Sequence, residues 1–232
     1  MIKVLAINGS PRKEKGNTAM IFNPFLQGLI DAGAKVELFY TGRLKIRPCV
    51  CSEMQCWYGN PGECTIQDDM KMLYPKLREA DLLVLATPVY IPLPGDVQNL
   101  INRLCPLIYP YLENRQGRTR ARFHEDVNIK KIMLVSTGGW WEKENFDTLV
   151  LIIEELAELA SVEFGGAVLR PHAYLMKKEG VITEAGECVL SAVRSAGYEL
   201  VMDGDIRLET LELISQPLIS ESVLRRRYNQ LL

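Results

Sequence analysis

The stretch IKVLAINGSPRKEKGNT, residues 2–18, sets an aliphatic run directly against a loop of glycine, hydroxyl, amide and positive charge. Ile2–Ile7 reads as a first strand. Phe22, Phe25, Leu26, Leu29 and Ile30 then recur at helical spacing, so the loop joins a strand to a helix. In a doubly wound parallel sheet such a loop lies at the carboxyl edge, where ligands bind. The first amides of the helix are unpaired there, and its dipole adds roughly half a positive charge. Gly9 and Gly16 permit close backbone approach, Ser10, Asn17 and Thr18 offer hydroxyl and amide groups, and Arg12 adds a forked cation. Together they describe a phosphate cradle. The loop has neither G-x-x-x-x-G-K-[ST] nor G-x-G-x-x-G, so a terminal monophosphate suits it better than a nucleoside triphosphate or a dinucleotide. The plainer alternative is a βα turn in which Asn17 or Thr18 caps the helix.

Working outward, further strand-like runs at Lys35–Tyr40, Asp81–Thr87, Lys131–Thr137 and roughly 162–169 alternate with segments of helical period. That alternation predicts an α/β chain with five parallel strands covered on both faces. Pro24 and Pro75 fall inside predicted helices, which are expected to begin late or kink there. Beyond Pro171 the alternation stops, and Glu184–Met202, Leu208–Ile214 and Leu218–Leu231 read as helices without a strand partner. The expected organisation is a sheet domain over residues 1–171, a cysteine-bearing loop at 47–67, and a helical extension over 172–232 that packs on the domain or on another subunit. Residues 114–131 are charged and lack apolar period. They read as an exposed loop, with attraction for a nucleotide donor's phosphates as the sharper alternative.

At 232 residues, 47% hydrophobic and 24% charged, the chain has the composition of one large globular domain. A net charge of −2 gives no electrostatic footprint for nucleic acid, and no window of 18 apolar residues suggests a membrane span. MIKVLAIN lacks a small-residue cleavage site and reads as a strand rather than a secretion signal. A cytoplasmic, reducing setting is the expectation.

Two more loops share the carboxyl edge. After the third strand, Thr87, Pro88, Val89 and Tyr90 offer a stiff turn and a ring that can stack. After the fourth, Thr137, Gly138, Gly139, Trp140 and Trp141 combine an approachable main chain with aromatic surface, the tryptophans reading equally well as core anchors. A phosphate cradle between a rigid aromatic wall and a glycine-rich wall suits a flat mononucleotide such as FMN.

NGSPRKEKGNT, TPVY, DDM (68–70), INRL (101–104) and STGG (136–139), in that order, resemble the NADPH-dependent FMN reductase and iron-sulfur flavoprotein branch of the flavodoxin-like superfamily, over about residues 1–171. The resemblance implies a 2-1-3-4-5 sheet with FMN at the strand ends. Ser10, Arg12, Asn17 and Thr18 would hold its phosphate, and Pro88, Val89, Tyr90, Thr137, Gly138, Gly139 and Trp140 would surround the rest. It also implies a homodimer or homotetramer in which a second subunit covers part of the flavin.

Cys49, Cys51, Cys56 and Cys64 lie within 16 residues. Four clustered thiols can hold an iron-sulfur cluster or zinc, or can stand as free or disulfide-forming thiols. The resemblance implies all four as ligands of a four-iron cluster that exchanges electrons with FMN. Their spacing, C-x-C-x4-C-x7-C, departs from the family's compact C-x2-C-x2-C, and Cys51 is the doubtful ligand because Val50 gives the backbone no glycine freedom. Cys105 and Cys188 read as small core residues, and His124 and His172 as structural rather than catalytic.

The expected function is a flavin-dependent oxidoreductase or electron-transfer flavoprotein, fed by NAD(P)H or a ferredoxin-like donor, with small-molecule or protein partners and no nucleic acid or membrane. No side-chain base is needed, since the flavin carries the chemistry. The rivals are a clusterless NAD(P)H-dependent FMN or quinone reductase, a non-enzymatic flavodoxin-like carrier, and a zinc-stabilised interaction protein.

Overall fold

The computed structural model describes residues 1–51 and 53–230. In chain order the elements are β1 (Lys3–Asn8), α1 (Asn17–Asp31), β2 (Lys35–Tyr40), α2 (Gln55–Tyr58), α3 (Met70–Glu79), β3 (Leu82–Pro88), α4 (Gly95–Asn102), β4 (Ile108–Arg115), β5 (Arg118–Phe123), β6 (Lys131–Thr137), α5 (Asp147–Ala160), β7 (Glu163–Arg170), β8 (Lys177–Lys178), β9 (Val181–Ile182), α6 (Glu184–Met202), α7 (Leu208–Ser215) and α8 (Glu221–Asn229). The main sheet is wholly parallel, in the order β2-β1-β3-β6-β7. Counting only its own strands along the chain, that is the flavodoxin-like 2-1-3-4-5 arrangement.

Successive strand side chains point to opposite faces, and this divides the core in two. Leu5, Ile7, Leu83, Leu85, Ile132 and Leu134 face a layer built by α3, α4 and α5, which contribute Leu73, Leu77, Val97, Leu100, Ile153 and Leu156. Val4, Ala6, Val84, Ala86, Met133 and Val135 face the other way, against Phe22, Phe25 and Leu29 of α1 and Val189, Val193 and Ala196 of α6. Burial on both faces is why β3 and β6 read as unbroken apolar runs rather than alternating ones.

The C-terminal helix α6 completes the α1 layer. The two helices cross at paired glycines: a Cβ on Gly28 would stand 1.9 Å from the Arg194 carbonyl oxygen, and one on Gly197 would stand 2.1 Å from that of Phe25. Only bare backbone fits at this crossing. The α1 and α3 helices start ahead of Pro24 and Pro75 and run through them, so neither proline sets a helix boundary. The burial of Phe22, Phe25, Leu73 and Leu77 outweighs the local penalty there.

Half of the expected loop at 114–131 is instead strand. The antiparallel pair β4-β5 turns at Gln116–Gly117, both with positive φ, as a two-residue hairpin turn of the primed type requires. Its alternating RTRARF pattern was legible as a strand, but the charge masked it. Arg118 and Arg120 each bridge Glu155 and Glu158 of α5 at 2.8–3.2 Å. These cations are therefore committed to the fold rather than to a nucleotide donor. The C-terminal region is not strand-free either: β8 and β9 form a small hairpin across Glu179–Gly180. Cys188 is exposed, because the buried stripe of α6 runs through Val189, Ala192, Val193 and Ala196 and misses it.

Candidate functional site

The loops after β1, β3 and β6 enclose a cavity of about 570 Å³ at the carboxyl edge of the sheet. Ser10, Arg12, Asn17 and Thr18 line it from the first loop, Pro88, Val89 and Tyr90 from the second, and Thr137, Gly138, Gly139 and Trp140 from the third. All eleven residues expected at the cofactor site thus share one space.

The first loop is held open by its own polar groups. The Ser10 amide donates to Asn8 Oδ1 at 2.9 Å, and the Arg12 amide donates to Ser10 Oγ at 3.3 Å. Gly16 is the N-cap of α1, so the cap offers no side chain to accept from the helix's first turn. The capping alternative fails here: Asn17 and Thr18 lie inside the helix, and the Thr18 hydroxyl is hydrogen-bonded to that of Thr137 at 2.9 Å instead. The first-turn amides are left for an anion. A Cβ on Gly16 would come within 2.6 Å of Ser10 Oγ, so a side chain there would displace the hydroxyl that accepts the Arg12 amide.

The third loop is pinned to its neighbours. The Val89 amide donates to the Thr137 carbonyl at 2.9 Å, the Gly138 amide to Arg170 at 3.0 Å, and the His172 amide to Trp140 at 3.1 Å. A Cβ on Gly138 would meet the Phe146 ring at 2.9 Å. At the mouth, Tyr90, Ile91 and Trp140 are exposed, Ile91 completely so. The two tryptophans part ways: Trp140 faces the cavity, whereas Trp141 Nε1 donates to the Ile219 carbonyl at 2.8 Å and anchors the C-terminal segment.

Four lining residues were missed in the sequence: Ile91, Asn145, Phe146 and Tyr228. Tyr228 belongs to α8, far along the chain, and its ring meets Tyr174 edge-on at 6.2 Å. What delivers α8 to the cavity is a buried latch. Arg170 donates through Nη1 to the carbonyls of Ile214 and Gln216, and its Nη2 lies 2.8 Å from His172 Nε2. His172 Nε2 also accepts the Leu218 amide at 3.1 Å, which assigns the ring a structural role. Burial, reinforced by the Arg170 charge, pushes His172 down to about 4, and burial pushes Arg170 down to about 10.

The cysteines form a second site. Cys49, Cys51, Cys56 and Cys64 line a narrow cavity, and Cys105 joins them, standing just after α4 in a short 3-10 turn with its sulfur 3.8 Å from that of Cys56. Cys105 is therefore not the isolated core residue its apolar surroundings suggested. Buried Arg103 ties the cysteine loop to α4. Its Nη1 and Nη2 grip the Asp68 carboxylate at 2.7 and 3.1 Å, Nη1 reaches the Arg47 carbonyl at 2.9 Å, and Nη2 lies 3.3 Å from Cys64 Sγ. The DDM and INRL motifs are the two halves of this clamp. Burial raises the Asp68 carboxyl, but the hydrogen bonds from Arg103 and from the Arg47 and Met70 amides bring it below the usual range. Burial, with Cys105 next, pushes the Cys56 thiol up to about 12.

The cavity volume falls within the usual range for ligand pockets, and a monophosphate fits an uncapped helix end beside Ser10 and Arg12. At the cysteines the donor set is the soft one that iron-sulfur clusters and zinc take. The space between the sulfurs, about 10 Å³, is close to one water-sized sphere, and among the described residues no three metal-binding side chains are arranged to hold a single ion. A cluster would need the cysteine loop to stand further out.

The sequence model of NADPH-dependent FMN reductases matches residues 2–145. The chain belongs to the NADPH-dependent FMN reductase family. An iron-sulfur flavoprotein of Methanocaldococcus jannaschii is 32% identical over 118 residues, covering 50% of this chain and 59% of that one. An iron-sulfur flavoprotein of Archaeoglobus fulgidus is 33% identical over 103 residues, covering 44% and 48%. The chain spans about half the length of these relatives. The NAD(P)H:quinone oxidoreductase of Methanothermobacter marburgensis has the same fold, with a TM-score of 0.59 at 17% identity over 86% of this chain and 96% of that one. Membership makes this a chain of a flavin-dependent oxidoreductase family whose cofactor is FMN. Among the described residues no helix is long and apolar enough to cross a membrane.

Proposed function

We propose that the protein is an FMN-dependent oxidoreductase that also carries an iron-sulfur cluster, passing electrons between a donor, the flavin and an acceptor. The observation that carries the flavin reading is the meeting of all eleven expected residues, from three separate loops, around one cavity at the strand ends. The first-turn amides of α1, with Ser10, Asn17, Thr18 and Arg12, bind and neutralise the phosphate. Pro88, Val89 and the Gly138–Gly139 main chain hold the ring plane, and Tyr90 and Trp140 exclude water from one side. Bound FMN supplies hydride and one-electron chemistry; the protein positions it and requires no side-chain base.

The exposed rim of Tyr90, Ile91 and Trp140 supports a homo-oligomer in which a second copy covers the mouth. The soft donors of five cysteines along one narrow cavity and the printed names of the relatives support the cluster, and a reducing compartment would keep those thiols reduced. The tightness of the space between the sulfurs favours a second reading, a clusterless NAD(P)H-dependent quinone reductase.

Anaerobic purification followed by an absorbance spectrum with iron and acid-labile sulfide assays tests both readings. Flavin bands with iron and sulfide are expected. Flavin alone would establish the clusterless reading, and a folded protein that refuses FMN in titration would overturn both.

A further inference from the structure

We infer that Asn8 is a positioning residue that determines flavin specificity: its side chain sets the loop of Ser10 and Arg12 for a terminal phosphate, and with it the preference for FMN over riboflavin. This rests on the flavin reading above and adds a residue that does not itself line the cavity. Asn8 is the last residue of β1, paired with Tyr40 of β2 on one side and Ala86 of β3 on the other, and it is fully buried. The alternation that turns Val4 and Ala6 toward α1 turns Asn8 the same way. Its Oδ1 accepts the Ser10 amide at 2.9 Å, and Ser10 Oγ in turn accepts the Arg12 amide at 3.3 Å. Two bonds thus carry the position of an interior strand out to both polar residues of the first cavity wall.

The other end of the Asn8 side chain has no such use. Nδ2 is buried and meets no acceptor among the described residues, so the hydrogen bonding of this amide is directed to the loop alone. A buried donor left unpaired costs stability that an apolar side chain would not, so packing gives no reason for asparagine here. Neighbouring loop amides are spent within the protein: Gly9 on the Ala86 carbonyl, Lys13 on Ser10, Lys15 on Arg12 and Gly16 on Lys13. Ser10 and Arg12 line the cavity beside the first turn of α1, and Asn8 fixes where they stand relative to it. On the flavin reading the ring rests on the loops after β3 and β6, to which the Asn8 side chain makes no hydrogen bond.

The test titrates flavin-free, full-length wild type, Asn8→Leu and Asn8→Ala with FMN and, separately, with riboflavin, followed by quenching of flavin fluorescence. Leucine keeps a branched side chain without an acceptor, and alanine removes the side chain. Both should weaken FMN binding about tenfold, the worth of one hydrogen bond, and leave riboflavin binding unchanged. Loss of affinity for the two flavins by the same factor would assign Asn8 a merely structural role and overturn the inference, as would an undiminished preference for FMN in either folded variant. Should Asn8→Leu fail to fold, Asn8→Ala decides the matter on the same terms. A wild type that binds neither flavin would sink the flavin reading, and one that binds both equally would sink its phosphate site; a wild type that prefers FMN beside variants that keep the full preference sinks the inference alone.

Discussion

Acidification should loosen the latch that brings α8 to the cavity, and His172 sets the size of the effect. Its imidazole is fully buried, with Nε2 accepting the Leu218 amide beside the Arg170 guanidinium, so the folded protein holds it neutral. Unfolded, it titrates near the ordinary 6.5, while folded it is pushed down to about 4. Below pH 6.5 the unfolded chain takes a proton that the folded chain refuses, so stability falls as pH drops, and the loss ends near pH 4. At about 1.4 kcal/mol per pH unit across that window, the loss from this residue reaches about 2 kcal/mol at pH 5 and about 3 kcal/mol once both states are protonated. Because carboxylates such as Asp68 and Glu199, both held below the usual range, add a slope of the same sign, the diagnostic quantity is a difference. Urea unfolding followed by far-ultraviolet circular dichroism, at pH 7.5 and pH 5, should show wild type losing about 2 kcal/mol more than His172→Gln. Equal losses in the two proteins would refute a neutral, buried His172.

Arg12→Ala should weaken FMN binding by about tenfold to a hundredfold, the worth of one charge-assisted hydrogen bond, measured by quenching of flavin fluorescence on titration. Gly16→Val should abolish FMN binding while leaving the circular dichroism spectrum intact, because its side chain would enter the space of Ser10 Oγ. Asp68→Asn should cost about 3–5 kcal/mol in urea unfolding, since it leaves the buried Arg103 charge without its carboxylate. Tyr228→Ala should leave the fold intact and raise the iodide quenching constant of bound FMN, because the ring lines the cavity from the solvent side.

The sheet was legible because buried parallel strands write themselves as short apolar runs: Lys35–Tyr40 and Lys131–Thr137 appear in the structure with the expected bounds. The cavity wall was legible for a related reason, since a loop of glycine, hydroxyl and arginine immediately after a first strand lies at the carboxyl edge of the sheet, and Ser10, Arg12, Asn17 and Thr18 do line the cavity there. What escaped notice depended on pairing at a distance. The arginines of β5 read as a solvated loop because their partners, Glu155 and Glu158, lie on another element. Cys105 read as core because nothing near it in sequence reveals that Cys56 stands opposite. Tyr228 gives no local sign of its place, since the latch that positions it runs through Arg170 and His172 to the carbonyls and amides of residues 214–218. Backbone acceptors carry no residue signature.

The crossing of α1 and α6 ties the birth of the binding site to a late event in synthesis. The loop proposed to hold the phosphate emerges among the first residues, yet the helix behind it is seated by Gly197 against the backbone of Phe25 and Leu29. A nascent chain that has not yet produced α6 owns the grip without the brace. Cofactor uptake would accordingly trail translation, and unfinished chains would be spared a tightly held redox group.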